Sequence, residues 1–372
     1  MTHTITLHEN ERRWGKKLRI VFALAAKDIA DGFKNKVTLT LIVTMLLVVL
    51  MFRFLPYFTR GSEMNVVVYS PAPSSPVLDA ILDSDQLELW EGYESETQMF
   101  RRLAEAEETE IGLVLPADLD TQLARGDRPE ITAYVPYFTT AEDAESARQL
   151  VEEEIAFWTG SEVTLNLQRT RVFMDMDSHG ASVPLIMTMI YALTVVGVAF
   201  IPHLMVAEKK EKTIEALLVS PATPGLITIG KGIAGLFYAL VSAGIVLAIY
   251  APFILNWPLA ILAALLGAML MVTLGLILGT RFENRQQLQI VAWVLIAPFM
   301  LGYFLSLESS LFPEIVGRIL DWIPTVTLGR LLMVAMVPEF PWLPWTMDLF
   351  YLAGLALACS GIVIWLLRRM DR

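Results

Sequence analysis

Six runs of apolar residues constrain the fold of this chain more than any other feature of its sequence. A run of about 18 or more apolar residues can satisfy its backbone hydrogen bonds within hydrocarbon only as a helix, so it is expected to cross a bilayer. The runs lie at 37–58, 183–206, within 226–255, 259–278, 288–307 and 348–367. The composition, with 55% hydrophobic and 18% charged residues, also excludes an ordinary soluble protein. We predict an α-helical integral membrane protein with six transmembrane helices, five of them within 183–368.

Charge is distributed unevenly along the chain. Residues 59–178 contain 25 acidic residues against 8 arginines and no lysine, whereas the whole chain has a net charge of −11. All 9 lysines lie in the first 36 residues, in the loop 207–224, or at Lys231 just beyond it. Because positively charged loops stay on the cytoplasmic side, both termini and the 207–224 loop are predicted to be cytoplasmic. Residues 59–178 are then extracytoplasmic, in a multi-pass protein of the plasma membrane.

The first 36 residues predict an amphipathic helix. They hold 8 of the 28 basic residues, and Trp14, Leu18, Val21 and Phe22 recur among them at near-helical spacing. A helix of this kind lies on the anionic inner leaflet of a membrane. We interpret residues 1–36 as a cytoplasmic amphipathic helix rather than a signal peptide, because the apolar run that follows is long enough to span the membrane.

Residues 59–178 have the pattern of a small α/β domain inserted between the first and second transmembrane helices. Ser75 and Ser95 stand where helix N-caps are expected. The predicted strands are 64–69, 87–93, 109–115 and 130–135, and the predicted helices are 76–83, 95–108, 116–125 and 140–170. About 120 residues of alternating strands and helices are enough for a separate hydrophobic core. The Glu152–Glu154 run on the last helix is interpreted as a solvated face.

The apolar segment 311–337 differs from the other spans. It is broken by Pro313, Pro324 and several charged residues, including Asp321 and Arg330. Charges and helix breaks are costly in lipid. We therefore predict a re-entrant or interfacial helical hairpin here rather than a full span.

Several short patterns suggest chemistry that the surrounding sequence argues against. Gly225–Gly232 comes within one residue of the phosphate-binding pattern G-x-x-x-x-G-K-[ST]. Gly232 lacks the hydroxyl that binds Mg²⁺, and no strand precedes the pattern, so ATP binding at this site is not predicted. Asp175, Asp177 and His179 alternate and could bind a cation on an extended segment, but a solvated acidic linker is the preferred interpretation.

No catalytic residue, metal site or cofactor is predicted in this chain. The hydrolase patterns H-E-x-x-H and G-x-S-x-G are both absent from the sequence, and Cys359 is the single cysteine. His203, near the inner end of the second span, is interpreted as an interfacial residue rather than a proton relay. Glycines at four span positions permit close helix packing and are consistent with a dimer: Gly275, Gly279, Gly354 and Gly361.

The segment 208–231 is a charged, helix-capable stretch between two spans. Its sequence is EKKEKTIEALLVSPATPGLITIGK. Its charges cannot enter lipid, whereas Ile214, Leu217 and Leu218 would not stay free in water. We interpret it as the docking surface for a soluble motor subunit.

This segment resembles the signature of ABC type-2 exporter permeases, in which a glutamate-rich stretch, a T-x-E-x-L-L core and a Pro precede a Lys that opens the next span. The resemblance assigns ATPase coupling to Glu208, Glu211, Thr213, Glu215, Leu217, Leu218, Pro221 and Lys231. Lys212 stands where many members have Gly. Residues 111–135 also resemble the external domain of the subgroup with an enlarged first loop, and the early Ala26–Lys27–Asp28 fits the same family.

The resemblance implies an exporter subunit that is not itself an enzyme. Its partners would be a cytoplasmic ATPase subunit, which binds ATP and Mg²⁺, and a second permease copy, in a homodimer or a heterodimer. Relatives of this kind export sodium or drugs, and the sequence does not choose between these substrates. No nucleic-acid partner is predicted, and the lipid bilayer is the surrounding medium.

Two other functions remain open from the residues alone. The chain could be a membrane-anchored receptor or envelope assembly factor that binds a partner through its acidic outer domain, although an anchor needs only one span. An ion-coupled secondary transporter would be expected to carry acidic residues at mid-membrane. The acidic residues of this sequence lie in loops and at span ends.

Overall fold

The computed structural model of the chain describes most of its residues. The described ranges are 2–34, 36–59, 63–72, 75–168, 171–174, 180, 182–210, 223–282, 284–307, 311–338 and 342–370. They divide into two compact units. The larger comprises Met1–Arg53, Leu185–Ala335 and Pro341–Arg372, and the smaller comprises Phe54–Pro184 and Met336–Phe340.

Two consecutive helices form the N-terminal part of the chain. Helix α1 runs from Thr2 to Lys34, and helix α2 runs from Lys36 to Thr59. Helix α2 covers the first predicted span, 37–58. Its role as a membrane-spanning helix stays a prediction.

The smaller unit is built on a five-stranded sheet. Its strands are β1 (Met64–Tyr69), β2 (Leu87–Trp90), β3 (Ile111–Val114), β4 (Glu130–Tyr134) and β5 (Thr164–Leu167). The order across the sheet is β2-β1-β3-β4-β5. Strand β1 pairs in parallel with β2 and β3, β4 is antiparallel to β3, and β5 is parallel to β4.

Four helices cover this sheet, and side chains alternate between its two faces. The helices are α3 (Pro76–Leu82), α4 (Glu96–Ala104), α5 (Leu119–Ala124) and α6 (Ala141–Thr159). Val66 and Val68 of β1 share a buried core with residues of α3 and α6. Val67, between them, packs with Met99 and Leu103 of α4. This period of two is what a strand buried on both faces requires.

The predicted N-caps are confirmed, whereas the last predicted helix is too long. The side chains of Ser75 and Ser95 accept hydrogen bonds from the first turns of α3 and α4. Helix α6 does not continue to residue 170. It ends at Thr159, because Gly160 takes a left-handed conformation with φ 70°. The chain then forms β5, a strand that the sequence pattern did not reveal.

The interpretation of Glu152–Glu154 as a solvated face is wrong for two of its three residues. Glu152 accepts a hydrogen bond from the Leu165 backbone N–H at 2.7 Å and pairs with Arg148. Glu154 accepts hydrogen bonds from the Ser84 hydroxyl and the Gln86 amide. These two carboxylates join α6 to β5 and to the turn before β2. Of the three, Glu153 alone is exposed.

The larger unit contains the long apolar helices. Helices α7 (Ser182–Thr194) and α8 (Ile201–Lys210) are joined by a π-helical segment, Val195–Phe200. The remaining helices are α9 (Pro224–Ile249), α10 (Trp257–Arg281), α11 (Arg285–Leu307), α12 (Glu314–Asp321), α13 (Pro324–Val334) and α14 (Trp342–Met370). Within the described residues, five helices are long and apolar enough to cross a membrane, and they coincide with the second to sixth predicted spans.

Helix α10 crosses the π-helical segment at a pair of glycines. A Cβ atom on Gly275 would overlap the Gly197 carbonyl oxygen, and one on Gly197 would overlap the backbone of Met271. Gly279 packs in the same way against Met205. Close packing at Gly275 and Gly279 is therefore confirmed, as expected for small residues between membrane helices.

Gly354 and Gly361 do not make close helix contacts of this kind within the described part of the chain. Around Gly354 and Gly361 of α14, no atom of the described residues lies within 4 Å of an added Cβ. The neighbouring Ala356 is fully buried. Gly354 and Gly361 lie on another side of α14 from Ala356, and their packing against a second copy stays a prediction.

Residues 311–337 form two short helices, α12 and α13, rather than one span. Arg330 of α13 donates from Nε and one terminal nitrogen to Asp348 at 2.9 and 2.8 Å, and from the other terminal nitrogen to Asp321 at 2.6 Å. The Thr325 hydroxyl donates to the Phe299 carbonyl of α11 at 2.6 Å. The charges that break the apolar run are thus paired with one another. A re-entrant position in the membrane stays a prediction.

We predict that Gly275→Ala destabilises the protein, whereas Gly361→Ala does not. Alanine favours a helix over glycine by about 1 kcal/mol at either site. Only at Gly275 does the methyl group meet backbone atoms, and overpacking of this kind costs about 1–3 kcal/mol. The apparent unfolding temperature in detergent should fall for Gly275→Ala and stay equal or rise for Gly361→Ala. Equal shifts for the two variants would contradict the observed helix crossing.

Candidate functional site

The candidate site is the connection between α8 and α9, together with the helix that packs on the start of α9. We call residues 211–222 the coupling segment. Glu208 lies in α8 at a position where only the backbone is described, and Lys231 lies in α9. The other six predicted coupling residues lie outside the described residues: Glu211, Thr213, Glu215, Leu217, Leu218 and Pro221.

Helix α9 has a well-defined beginning. Thr223 is its N-cap, with the side-chain oxygen accepting from the Leu226 N–H at 3.4 Å, and Pro224 occupies the first helical position. The Ile227 N–H donates to the Thr223 carbonyl. The Gly225–Gly232 pattern is therefore the first turns of a helix. The Leu226 N–H is bonded to the Thr223 cap, and the N–H groups that follow the first turn donate within the helix, so the pattern does not form a phosphate-binding loop.

Lys231 makes a buried ion pair with Asp28 of α1. Its Nζ lies 3.1 Å from the Asp28 Oδ2. The Lys231 side chain is 5% exposed and the Asp28 side chain is 10% exposed. Because a buried charge without a counter-charge is strongly destabilising, neither residue can lose its charge alone without cost. The sequence pattern named both residues but gave no sign that they meet.

A second contact joins the same two helices farther along. The Tyr238 hydroxyl donates to the Ile29 carbonyl at 2.7 Å. An added Cβ on Gly32 would overlap the Tyr238 hydroxyl, so Gly32 leaves the space that this hydroxyl occupies. The rings of Phe33 and Tyr238 also lie 5.7 Å apart. These contacts advance in the same direction along both helices, so α1 and α9 run parallel where they meet.

Three faces can be distinguished on α1 from residue 16 onwards. One face, with Val21, Ala25 and Gly32, is buried together with the Asp28 side chain. A second face carries exposed apolar side chains, and a third carries exposed lysines. The members of the second are Leu18, Phe22 and Phe33, and those of the third are Lys16, Lys27 and Lys34. An amphipathic helix that is also bound to a partner helix has this arrangement.

Helix α7, the π-helical segment and helix α8 together form one apolar span, which we call the α7–α8 span. A cavity of about 390 Å³ lies between α2, the α7–α8 span and α11. Most of its lining is apolar, and polar atoms come from Tyr191, His203, Gln289 and Thr44. Trp293 contributes a large aromatic ring to the wall. Cavities with apolar walls and a few polar groups are suited to small amphipathic ligands. His203, predicted as an interfacial residue, is thus a residue of the cavity wall.

The predicted acidic linker Asp175, Asp177 and His179 lies outside the described residues. Among the residues that the structure describes, no group of three or more His, Cys, Asp and Glu side chains could hold a metal ion. Cys359 is buried.

The smaller unit contains a buried polar cluster around Glu110. Glu110 is 1% exposed, accepts from the Asn65 amide at 2.9 Å and pairs with Arg102 at 3.1 Å. The Arg102 guanidinium also lies 4.5 Å from the centre of the Trp90 ring. Burial raises the pKa of the nearby Tyr93, and Arg102 opposes this shift. Every charge in the cluster has a partner, so we assign it to the stability of this unit.

Comparison with known proteins gives the chain a family context. A family model described as "ABC-2 family transporter protein" matches residues 36–365. The chain is also similar to "Probable multidrug ABC transporter permease YbhR" of Escherichia coli strain K12, with 32% identity over 130 residues. The protein of the same name from Escherichia coli O157:H7 has the same identity over the same length. The matched stretch covers 33% of this chain and 35% of the curated relatives.

We predict that Gly32→Ala loosens the contact between α1 and α9, and that adding Tyr238→Phe restores it in part. The methyl group introduced at position 32 collides with the Tyr238 hydroxyl, and removing that hydroxyl removes the closest clash. Limited proteolysis of α1 should be faster in Gly32→Ala than in the double variant. Gly244→Ala is the matched control, since no atom of the described residues lies within 4 Å of its added Cβ. Equal proteolysis of all variants would show that the contact does not hold α1.

Proposed function

We propose, from the finding that this chain belongs to the ABC-2 transporter family, that it is the membrane-spanning permease subunit of an exporter driven by a separate ATPase subunit. The observation that carries the proposal is the family match over residues 36–365, which includes the predicted first span and the coupling segment and extends into the last span. A chain of this family is a transport subunit and not itself an enzyme. The helical conformation of Gly225–Gly232 supports the assignment of ATP and Mg²⁺ binding to the partner.

The proposed topology has six spans, formed by α2, the α7–α8 span, α9, α10, α11 and α14. Both termini and the coupling segment are cytoplasmic, and the α/β unit built on β1–β5 is extracytoplasmic. The distribution of lysine along the sequence supports this orientation. The enlarged loop between the first two spans fits the sodium and multidrug exporters that the sequence resembles.

Coupling is proposed to run through the coupling segment. Leu217 and Leu218 would enter an apolar groove of the ATPase. Glu208, Glu211 and Glu215, spaced at three and four residues, would meet basic residues at its rim. The capped start of α9 supports this role, because a helix that begins firmly at Pro224 passes on a displacement of the segment before it. Two permease copies, in a homodimer or a heterodimer, would each engage one ATPase.

The cavity beside Trp293 is the proposed substrate site. Its mostly apolar lining with a few polar groups favours an amphipathic drug over a bare sodium ion, which requires several oxygen ligands. The name of the Escherichia coli relatives, a probable multidrug permease, agrees with this choice. Its wall includes the α7–α8 span, and α8 leads to the coupling segment.

A receptor or envelope assembly function is the alternative. The strongly acidic composition of residues 59–178 is the observation that favours it. In that case the protein would retain an envelope partner through these residues and no ATPase.

We predict that Leu218→Asp and Glu215→Lys abolish retention of the ATPase. The first places a charge in an apolar groove, and the second reverses the charge that meets the basic rim. The measurement is affinity purification from native membranes in mild detergent, with mass spectrometry of the proteins that co-purify. Leu82→Asp is the matched control, because Leu82 is 60% exposed in the smaller unit and should tolerate a charge.

A soluble ATPase present in stoichiometric amount with wild type and Leu82→Asp, and lost in the two loop variants, is the expected result. An envelope protein without an ATPase would replace the permease proposal with the receptor alternative. Retention of the ATPase by both loop variants would contradict the docking role of the coupling segment only.

We also predict that Ala199→Phe blocks the cavity. The phenyl ring would occupy space that the side chain of Ala199 now leaves open at the cavity wall. Ethidium should stimulate ATP hydrolysis by the reconstituted wild-type complex but not by this variant. Ala358→Phe is the control, since Ala358 is exposed on α14. Full stimulation of Ala199→Phe would contradict the substrate site, and no stimulation of wild type would contradict the drug assignment.

A further inference from the structure

We propose that the buried Asp28–Lys231 ion pair makes α1 and the first turns of α9 move as one body, and thereby carries motion of the coupling segment to the cavity wall. Asp28 and Lys231 are positioning residues in this mechanism and do not contact substrate. The inference rests on the proposed function. It adds the route by which a displacement in the loop reaches the transmembrane helices.

The ion pair lies close to where the ATPase would act. Helix α9 begins at Pro224, and Lys231 follows seven residues later. At about 1.5 Å per residue this is a distance of about 10 Å along the helix axis. A continuous hydrogen-bonded helix connects the two points, so a displacement at Pro224 is transmitted to Lys231 with little loss.

A buried ion pair is a weak explanation of stability at this contact. Replacing a buried ion pair by apolar residues of similar size is often neutral or stabilising, because two charges must be taken out of water. Val21 and Ala25 already supply apolar burial on the same face of α1. What an ion pair adds is a single preferred alignment, since sliding by one helical turn would separate two buried charges.

The hydrogen bond between Tyr238 and Ile29 is a second contact, and it prevents α1 from rotating about the Asp28–Lys231 ion pair. Tyr238 lies seven residues after Lys231, on the same side of α9 and about 10 Å farther along its axis. Its hydroxyl is bonded to the Ile29 carbonyl, and Gly32 provides the space for it. Gly230 also allows the helices to approach, with its added Cβ 3.0 Å from the Leu24 Cβ. Two fixed points define both the position and the angle of α1.

Helix α1 is followed directly by a helix of the cavity wall. Helix α1 ends at Lys34 and α2 begins at Lys36. Thr44 of α2 lines the cavity together with residues of the α7–α8 span and α11. The proposed route therefore runs from the coupling segment to α9, across the ion pair to α1, and then into α2. Motion of α2 changes the shape of the cavity.

The test measures the distance between α1 and α9 in the full complex. The single cysteine is replaced by Cys359→Ala, and spin labels are attached at Lys27→Cys and Leu240→Cys, two exposed positions on these helices. Distances are recorded by pulsed electron resonance in lipid nanodiscs, with and without ATP and vanadate. Labelled permease is diluted with unlabelled permease so that a complex contains one labelled copy. In wild type we then expect one narrow distance distribution that is the same in both states.

Four variants separate a positioning role from simple packing. Lys231→Met, Asp28→Leu and their combination should each broaden the distribution on trapping. The charge-exchanged pair, Asp28→Lys with Lys231→Asp, should restore a narrow distribution. Asp31→Leu and Lys34→Met are controls on the exposed side of α1 and should behave as wild type. Apparent unfolding temperatures identify any variant that fails to fold.

Two results would overturn the inference. One is a change of the wild-type distance on trapping, and the other is a narrow distribution in the doubly apolar variant. If no ATPase co-purifies with wild type, the proposed function fails and this inference fails with it. If the ATPase is retained and the ion-pair variants behave as wild type, only this inference fails.

Discussion

Backbone hydrogen bonding in hydrocarbon is the constraint on which the larger unit depends. A regular helix pairs its own backbone N–H and C=O groups. Irregular backbone is therefore tolerated in hydrocarbon only where other parts of the protein cover it. The π-helical segment Val195–Phe200 follows this rule, because α10 packs on it through Gly275. At the break between α12 and α13, the Trp322 carbonyl accepts a hydrogen bond from the Tyr351 hydroxyl at 2.7 Å.

The elements that could be predicted are those whose signals are local. The long apolar runs and the serine caps of α3 and α4 depend on residues within a few positions of one another, and the structure agrees with both caps and with the second to sixth runs. Strand β5 could not be found in this way. Its four residues have little pattern of their own, and they become a strand by pairing with β4 and bonding to Glu152. The π-helical segment and the role of Gly197 likewise arise from the crossing with α10.

In the candidate site, too, local motifs identify individual residues, whereas the contacts between them depend on the fold. A motif within one segment pointed to Lys231, and a motif near the N-terminus pointed to Asp28. The two are 203 positions apart, and nothing in either motif indicates a partner. The same holds for Tyr238 and Gly32, which look like ordinary residues of apolar helices in the sequence. Their relation depends on the parallel packing of α1 and α9, which only the folded chain defines.

The parallel packing of α1 on α9 gives a physical reason for polar groups at a contact that also contains apolar residues. Two helices held only by small apolar residues can slide past each other by a turn at modest cost, since Val21 and Ala25 would find similar neighbours. A buried charge pair and a hydroxyl that fits beside a glycine each have one satisfied position. Desolvation makes every other alignment costly. A contact that must transmit displacement needs this property, because a helix that slips under load transmits nothing. The arrangement of Asp28, Lys231 and Tyr238 therefore suits transmission of movement better than it suits stability alone.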